Sequence, residues 1–188
     1  MMQQPDAQQP AKTLRVWDLA VRLFHWSLVI SFATAWLTSS SRDDTHQWLG
    51  LAAATLIAVR LLWGFVGTHY ARFTQFIRKP INVLSYVMAI MRGREARYIG
   101  HNPAGGMMVI ALLAGVAATG VTGWLMTTDA WFGDETMQTV HSLCANGMLL
   151  LIVLHVGGVI LASVRHRENL VKAMVTGNKR PPQQGDVA

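Results

Sequence analysis

Two histidines stand at the ends of a long apolar run, at a spacing that could place both on one side of a helix. His141 and His155 are fourteen residues apart, and no Asp, Glu, Lys or Arg occurs between Thr136 and Val164. Fourteen residues make nearly four helical turns, so both imidazoles project from almost the same face, about 21 Å apart along the axis. Ionisable groups within a hydrophobic segment are costly and usually functional. The two imidazoles could therefore bind a ligand, although each could instead only hydrogen-bond a neighbouring helix.

The composition is that of a single-domain membrane protein. The chain of 188 residues is 52% hydrophobic and only 14% charged, whereas soluble domains are roughly 25% charged. Four apolar segments are long enough to cross a hydrocarbon core of about 30 Å. We expect transmembrane helices at about residues 19–39, 45–66, 103–127 and 137–163. The predicted fold class is therefore all-α, a bundle of four transmembrane helices.

A basic segment, residues 67–102, separates the second and third helices. Within it, apolar residues recur at helical spacing from Pro80 to Met91, which is typical of an amphipathic helix. About 12 residues are too few to span a bilayer, so we expect this short helix to lie flat on the membrane surface. Asn102 and Pro103 then mark the start of the third transmembrane helix, because Asn is a favoured N-cap and Pro is tolerated at the first helical position.

Positive charge is concentrated on one side of the predicted bundle. With both termini on the same side, that side holds every Lys and Arg except Arg42 and the intramembrane Arg60. The opposite loops hold five acids: Asp43, Asp44, Asp129, Asp134 and Glu135. The positive-inside rule therefore predicts a multi-pass membrane protein with both termini and the long basic segment in the cytoplasm. The net charge of +6 is explained by topology, and we expect no nucleic-acid partner.

The two ends of the chain are polar. Residues 1–13 are rich in Gln and Pro and are expected to form a disordered tail. Residues 14–170 form the predicted membrane domain. Residues 171–188 are expected to be a basic, polar and frayed C-terminal tail.

The predicted topology places four histidines at two depths in the membrane. His46 and His141 begin the second and fourth helices on the outer side, while His25 and His155 lie about fourteen residues further inward. Imidazole pairs on facing helices suit a planar macrocycle, whereas zinc or copper would need three or four ligands at one level. An iron with two axial histidines has no open position for a substrate, so it suits electron transfer rather than oxygen chemistry.

Other polar and small residues near these levels allow two interpretations. Arg60 could snorkel to the interface or neutralise a buried carboxylate. Gly50, one turn after His46, could admit a flat ligand or allow close helix packing. His69 and His166 are expected to be polar residues at the interface.

Several short motifs lie in or near the predicted helices. They are Trp17-Asp18, Arg22, His25-Trp26, His46 with Gly50, Trp63-Gly64, Gly100-His101-Asn102-Pro103 with Gly105, Thr119-Gly120 with Gly123-Trp124, His141, Asn146 and Leu154-His155. On these motifs, and over roughly residues 13–170, the chain resembles the bacterial cytochrome b561 family, the branch also grouped with b-type cytochrome subunits of nickel–iron hydrogenases. The resemblance implies two haem b groups in the four-helix bundle, one held by His25 and His155 and the other by His46 and His141.

The resemblance also bears on the residues around the haems. Cys144 is the single cysteine and no Cys-x-x-Cys-His sequence occurs, so the haems would be non-covalent. Near the inner haem, His101 could contact haem propionates or a quinone headgroup, together with Arg22, Arg60 and Arg72; His101 could equally be a polar residue at the interface.

The function implied is electron transfer across the inner membrane, between the quinone pool and a redox partner on the periplasmic side. One alternative is a membrane-anchoring cytochrome subunit of a dehydrogenase or hydrogenase complex. Another, implied by the family, is a protein that alone oxidises a small reductant such as superoxide and reduces quinone, which would make it a quinone-linked oxidoreductase. From a different class, the bundle could be a haem-free transporter whose histidines relay protons. A homodimer is left open.

Overall fold

The computed structural model describes residues 13–40 and 44–187, so residues 1–12 of the predicted N-terminal tail and Arg42 and Asp43 of the predicted turn lie outside the described residues. In chain order the elements are strand β1 (Leu14–Arg15), helix α1 (Leu19–Leu37), helix α2 (Thr45–Val66), a 3-10 turn (His69–Ala71), helix α3 (Phe73–Phe76), helix α4 (Pro80–Met91), helix α5 (Pro103–Leu125), helix α6 (Glu135–Arg165), helix α7 (Leu170–Thr176) and strand β2 (Asn178–Lys179).

Four of these helices have the length and hydropathy of membrane spans. They are α1, α2, α5 and α6, with 19, 22, 23 and 31 residues. The predicted all-α bundle of four transmembrane helices is confirmed. The last span extends two residues further at each end than the predicted 137–163 because Glu135 and Arg165, although charged, continue the helical hydrogen bonding.

Side-chain caps stand at the start of three spans, α1, α5 and α6, where Asp18, Asn102 and Asp134 accept backbone N–H groups. The side chain of Asp18 accepts the backbone N–H of Val21 at 2.8 Å at the start of α1. Asn102 caps α5 in the same way, accepting the N–H of Gly105 at 2.7 Å, as its sequence predicted. These bonds satisfy backbone donors that have no partner within the helix.

The bundle is held by an apolar core between α2, α3, α5 and α6. Its buried residues are Ala53, Ile57, Phe73, Phe76, Leu113, Val116 and Met148. Close packing of α5 on α6 requires a glycine, since a Cβ at Gly115 would collide with the side chain of Met148. Helix α1 packs on α2 and α2 on α5, whereas α1 and α6 contact each other only sparsely. His25 and His155 therefore belong to two helices, α1 and α6, that do not pack closely on each other.

The short helix α4 has the bounds that the sequence predicts, Pro80–Met91. One side of it is fixed to the loop that follows, because the buried Tyr86 donates its hydroxyl to the carbonyl of Ala96 at 3.1 Å. Burial raises the pKa of Tyr86 to about 12, so the hydroxyl stays protonated. Apolar side chains on the opposite side, such as Leu84 and Met91, are exposed, as a helix lying on a membrane surface requires.

The prediction of a frayed C-terminal tail was wrong. Residues Leu170–Thr176 form helix α7, and β2 pairs antiparallel with β1, with Leu14 opposite Lys179. One of its basic side chains is buried: Lys179 is only 5% exposed and pairs with Glu168. The segment is ordered by ion pairs between residues far apart in the sequence, such as Arg97 with Glu168 and Asp186. The composition of the segment alone does not reveal these pairs.

Candidate functional site

The structure brings the four predicted histidines together as two pairs. His25 of α1 faces His155 of α6, with ring centroids 6.4 Å apart. His46 of α2 faces His141 of α6, with centroids 6.1 Å apart. Helix α6 contributes one imidazole to each pair. The spacing of fourteen residues from His141 to His155 therefore sets the distance between the two sites.

Both distances fit one metal ion between two imidazoles. Metal–nitrogen bonds of about 2 Å on opposite faces of an iron leave the two ring centroids about 6 Å apart. Within residues 13–40 and 44–187, no group of three or more His, Cys, Asp or Glu side chains could hold a metal ion. The donor set therefore fits a macrocycle that supplies the remaining ligands itself, rather than a zinc or copper centre.

The outer pair is oriented by hydrogen bonds at Nδ1. The Nδ1 atom of His46 lies 2.7 Å from the carbonyl oxygen of Ala35. The Nδ1 atom of His141 lies 3.1 Å from the carbonyl oxygen of Thr119 and 3.1 Å from the hydroxyl of Thr122. A proton on each Nδ1 would be donated to a carbonyl, which leaves the Nε2 lone pair free to bind a metal.

Two glycines keep space open around the outer pair. A Cβ at Gly123 would lie 3.1 Å from Cε1 of the His141 ring, so a larger residue would displace that imidazole. A Cβ at Gly50, one turn after His46, would meet no other atom of the described residues within 4 Å. Gly50 is therefore not used for close helix packing, and the space beside His46 is available to a flat ligand.

Several buried polar atoms near the inner pair have no partner among the described residues. They are Nδ1 of His25, Nε of Arg22, Nη1 of Arg60 and Nδ1 of His101. Arg22 lies three residues before His25 on α1, so it is one turn away on the same face. A buried nitrogen that has no hydrogen-bond partner costs free energy unless an anionic or acceptor group meets it. This surplus of donors fits a ligand that carries carboxylates.

Arg60 does not snorkel to the interface. The residue is only 4% exposed. Its Nη2 donates to the carbonyl of Ala71 at 3.0 Å, and its guanidinium lies 5.2 Å from the ring centroid of Phe73. Arg72, by contrast, is exposed and donates its Nε to the carbonyl of Gly67 at 2.7 Å, so the structure gives it a turn-stabilising contact instead.

His101 lies between two aromatic rings instead of at an open interface. Its ring centroid is 4.7 Å from those of Trp17 and of Phe76. Burial, with the nearby cations Arg60 and Lys179, lowers the pKa of His101 to about 3. The imidazole is therefore neutral at physiological pH, and it could give a carboxylate a hydrogen bond but no charge.

Sequence reasoning missed the part played by Asp18. Its carboxylate accepts the indole N–H of Trp63 at 3.1 Å and the hydroxyl of Thr68, in addition to capping α1. Burial would raise the pKa of Asp18, but the hydrogen bonds from Thr68, Val21 and Trp63 outweigh it and lower that pKa below its ordinary value. This charged carboxylate ties α1 to α2 beside the inner pair. Trp17-Asp18 and Trp63-Gly64 are both recognisable as motifs in the sequence. No feature of the sequence indicates that Asp18 and Trp63 form a hydrogen bond.

Comparison with known proteins identifies the family. The model of a family described as prokaryotic cytochrome b561 matches residues 16–177. A probable Ni/Fe-hydrogenase B-type cytochrome subunit of Bradyrhizobium diazoefficiens is 21% identical, over 89% of this chain and 86% of that protein. The protein of the same description from Cupriavidus necator is 25% identical, over 88% of this chain and 86% of its own length. No solved structure matches the chain.

The match covers all four spans and both histidine pairs. It also agrees with a donor set suited to a macrocycle and with four helices able to cross a membrane. The chain belongs to the prokaryotic cytochrome b561 family, and it is a membrane cytochrome of the haem b type that serves electron transfer.

Proposed function

We propose that this cytochrome holds two haem b groups and passes electrons across the membrane between the quinone pool and a redox partner at the outer face. His25 and His155 would hold the inner group, and His46 and His141 the outer one. The observation that carries the proposal is the presence of two facing imidazole pairs at centroid distances of 6.4 Å and 6.1 Å. Each haem, when bound, supplies an iron that gains and loses one electron.

The residues of the chain would hold and tune these groups. With two histidines on each iron, no coordination position would stay open, so these residues would favour electron transfer over oxygen chemistry. Arg22 and Arg60 would meet the carboxylates of the inner haem through their unpartnered buried nitrogens. Their charge favours the reduced iron, because reduction removes a positive charge from their neighbourhood. The apolar core that contains Phe76, whose ring centroid is 4.7 Å from that of His101, would limit the access of water to the inner site.

The relatives support a more specific version of this function. Both are described as cytochrome subunits of a hydrogenase, so the outer redox partner would be an enzyme subunit that delivers electrons to the His46–His141 site. A protein that alone oxidises a small reductant remains the second candidate within the same chemistry. The haem-free proton-relay bundle does not agree with membership of a cytochrome b family.

The function can be tested in sealed liposomes that contain the purified protein. A quinol is added outside, and a membrane-impermeant oxidant such as ferricyanide is trapped inside. We expect the cytochrome to be reduced by the quinol and the trapped ferricyanide to be consumed, in contrast to liposomes without the protein. A cytochrome that quinol does not reduce would overturn the quinone link, and reduction without loss of ferricyanide would overturn transfer across the membrane.

A further inference from the structure

The C-terminal segment closes over the end of the bundle that carries the inner histidine pair. This segment, residues 168–187, is called the C-terminal cap below. Its helix α7 contributes Ala173 to a second apolar cluster, whose buried members also include Val16, Trp17, Val21, Ala71 and Ile99. The carbonyl of Gly177 accepts the backbone N–H groups of Val16 and Trp17 at 2.9 and 3.1 Å. The cap is thereby bound to the residues that lead into α1.

A buried ionic network holds the cap in place. Arg97 donates to both carboxylate oxygens of Glu168, at 3.1 and 2.8 Å, and to Asp186. Lys179 adds a fourth charge, 3.3 Å from Glu168. The side chains of Arg97, Glu168, Lys179 and Asp186 are all between 4% and 7% exposed. Removing one partner from such a network strands the others without solvent, which is strongly destabilising.

The cap also contacts residues that surround the inner histidine pair. The carbonyl of Val175 accepts Nη1 of Arg22 at 2.5 Å, which directs the guanidinium whose Nε has no partner. A Cβ at Gly177 would lie 2.6 Å from the Trp17 carbonyl oxygen and 3.4 Å from Nε of Arg22. Only glycine fits there, because its φ of +85° also disfavours other residues.

A second set of contacts leads to His101. The ammonium of Lys179 donates to the carbonyl oxygens of Ile99 at 2.9 Å and Tyr98 at 3.2 Å. Ile99 stands two residues before His101, whose ring contacts that of Trp17 in a tilted arrangement. The backbone N–H of Trp17 in turn donates to the carbonyl of Gly177. The cap therefore bonds directly to Arg22, and it also bonds to Ile99 and Trp17, the residues next to His101.

We infer that the C-terminal cap is a positioning element of the inner haem site, which fixes Arg22 and excludes cytoplasmic water there while leaving the outer site unaffected. The inference rests on the proposed binding of haem by His25 and His155. Arg22 can meet a haem carboxylate only while the Val175 carbonyl restrains its other nitrogen. Release of the cap would free Arg22, admit water and change the potential of the inner haem alone.

Two variants open the cap in different ways. Glu168→Gln removes the central charge of the network, and Gly177→Ala places a methyl group against Trp17 and Arg22 without changing any charge. The matched controls are Glu135→Gln, an exposed acid at the other end of α6, and Gly133→Ala, which has a similar φ of +77° but no other described atom near its Cβ. Trypsin cleavage after Lys179 in inside-out vesicles reports whether the cap is open.

Redox titration of the full-length protein then gives the midpoint potentials of both haems. We expect both cap variants to become sensitive to trypsin, and the inner midpoint to shift or the inner haem to be lost, with the outer midpoint unchanged. Neither control should change either quantity. A shift in Gly177→Ala cannot arise from lost charge, so it would show positioning.

Three results would overturn the inference. They are an open cap with an unchanged inner midpoint, equal changes at both haems, and unchanged trypsin sensitivity in both cap variants. A wild-type protein without two separate titrating haems would instead refute the proposed function, so the two failures can be told apart.

Discussion

The two imidazole pairs differ in their hydrogen bonding. Both outer histidines place Nδ1 against backbone carbonyl oxygens, whereas Nδ1 of His25 is buried without a partner among the described residues. A hydrogen bond from Nδ1 to a carbonyl makes the ligand more basic and favours the oxidised metal. Together with the arginines near the inner pair, this difference predicts a higher midpoint potential for the inner haem than for the outer one.

Single substitutions should separate the two sites. His155→Ala should remove the inner haem and leave the outer one largely in place, and His141→Ala should do the reverse, because each site would lose one of its two axial ligands. The measurement is haem content per chain with the reduced absorption spectrum. His166→Ala, which removes a histidine outside both pairs, is the control. Full haem content in both ligand variants would contradict the assignment.

Arg60 offers a test of charge at the inner site. Arg60→Leu should lower the inner midpoint potential, because it removes a buried positive charge that favours the reduced iron. A tenfold change in the redox equilibrium corresponds to about 60 mV for one electron, and we expect a shift of this order. Arg72→Leu is the control, since Arg72 is exposed. An unchanged titration would exclude contact between Arg60 and a haem carboxylate.

The buried neutral His101 should make stability depend on pH. Its pKa is lowered from 6.5 to about 3 in the folded protein, so below pH 6.5 the unfolded chain binds a proton that the folded chain does not. The contribution of His101 to the free energy of unfolding is therefore complete above pH 6.5. It falls as the pH is lowered towards 3, by up to about 1.4 kcal/mol per pH unit. Thermal unfolding in detergent should show a smaller slope for His101→Gln. An identical slope would contradict a buried neutral imidazole.

At the scale of the elements, most of the fold could be predicted from apolar segment length and cap residues. The bounds of α4 and the start of α5 agree with the sequence because Pro80, Asn102 and Pro103 act locally. The strand pair β1–β2 and helix α7 could not be predicted. These elements are held in place by Arg97, which bonds to Glu168 and to Asp186. Those two acids lie 71 and 89 residues after Arg97 in the chain.

The cap of α5 is the most direct local prediction. Asn102→Ala should destabilise the protein by about 1 kcal/mol, because the N–H of Gly105 loses its acceptor at the start of the helix. Asn102→Asp should restore most of that stability, since a carboxylate also caps well. Thermal unfolding in one detergent compares the three proteins. Equal stability of the wild type and Asn102→Ala would show that another group satisfies this end of α5.

At the scale of the whole molecule, the histidine pairs could be predicted and their surroundings could not. Periodicity along α6 and the charge of the loops place His141 with His46 and His155 with His25, since depth in a membrane follows from counting residues. The family resemblance suggests that Arg22 and His101 lie near the inner haem. That the C-terminal cap holds Arg22, and that His101 is enclosed by Trp17 and Phe76, follow only from tertiary packing.

The charge asymmetry relates these sites to the two sides of the membrane. Strands β1 and β2 and the basic 67–102 segment lie on the side of the inner pair, and the acidic loop between α5 and α6 lies on the side of the outer pair. We therefore propose a cytoplasmic position for the inner pair and the C-terminal cap. Electrons would pass between a cytoplasmic-side site and a site on the opposite face.

The central claim is that one chain holds two haem b groups, and haem content tests it most directly. The full-length protein, purified in mild detergent, is assayed by pyridine haemochrome against protein concentration, alongside a dithionite-reduced spectrum. We predict two haems b per chain, with two components in a redox titration. One haem per chain would contradict a second site and make the His46–His141 pair the first to re-examine, and none would contradict both sites.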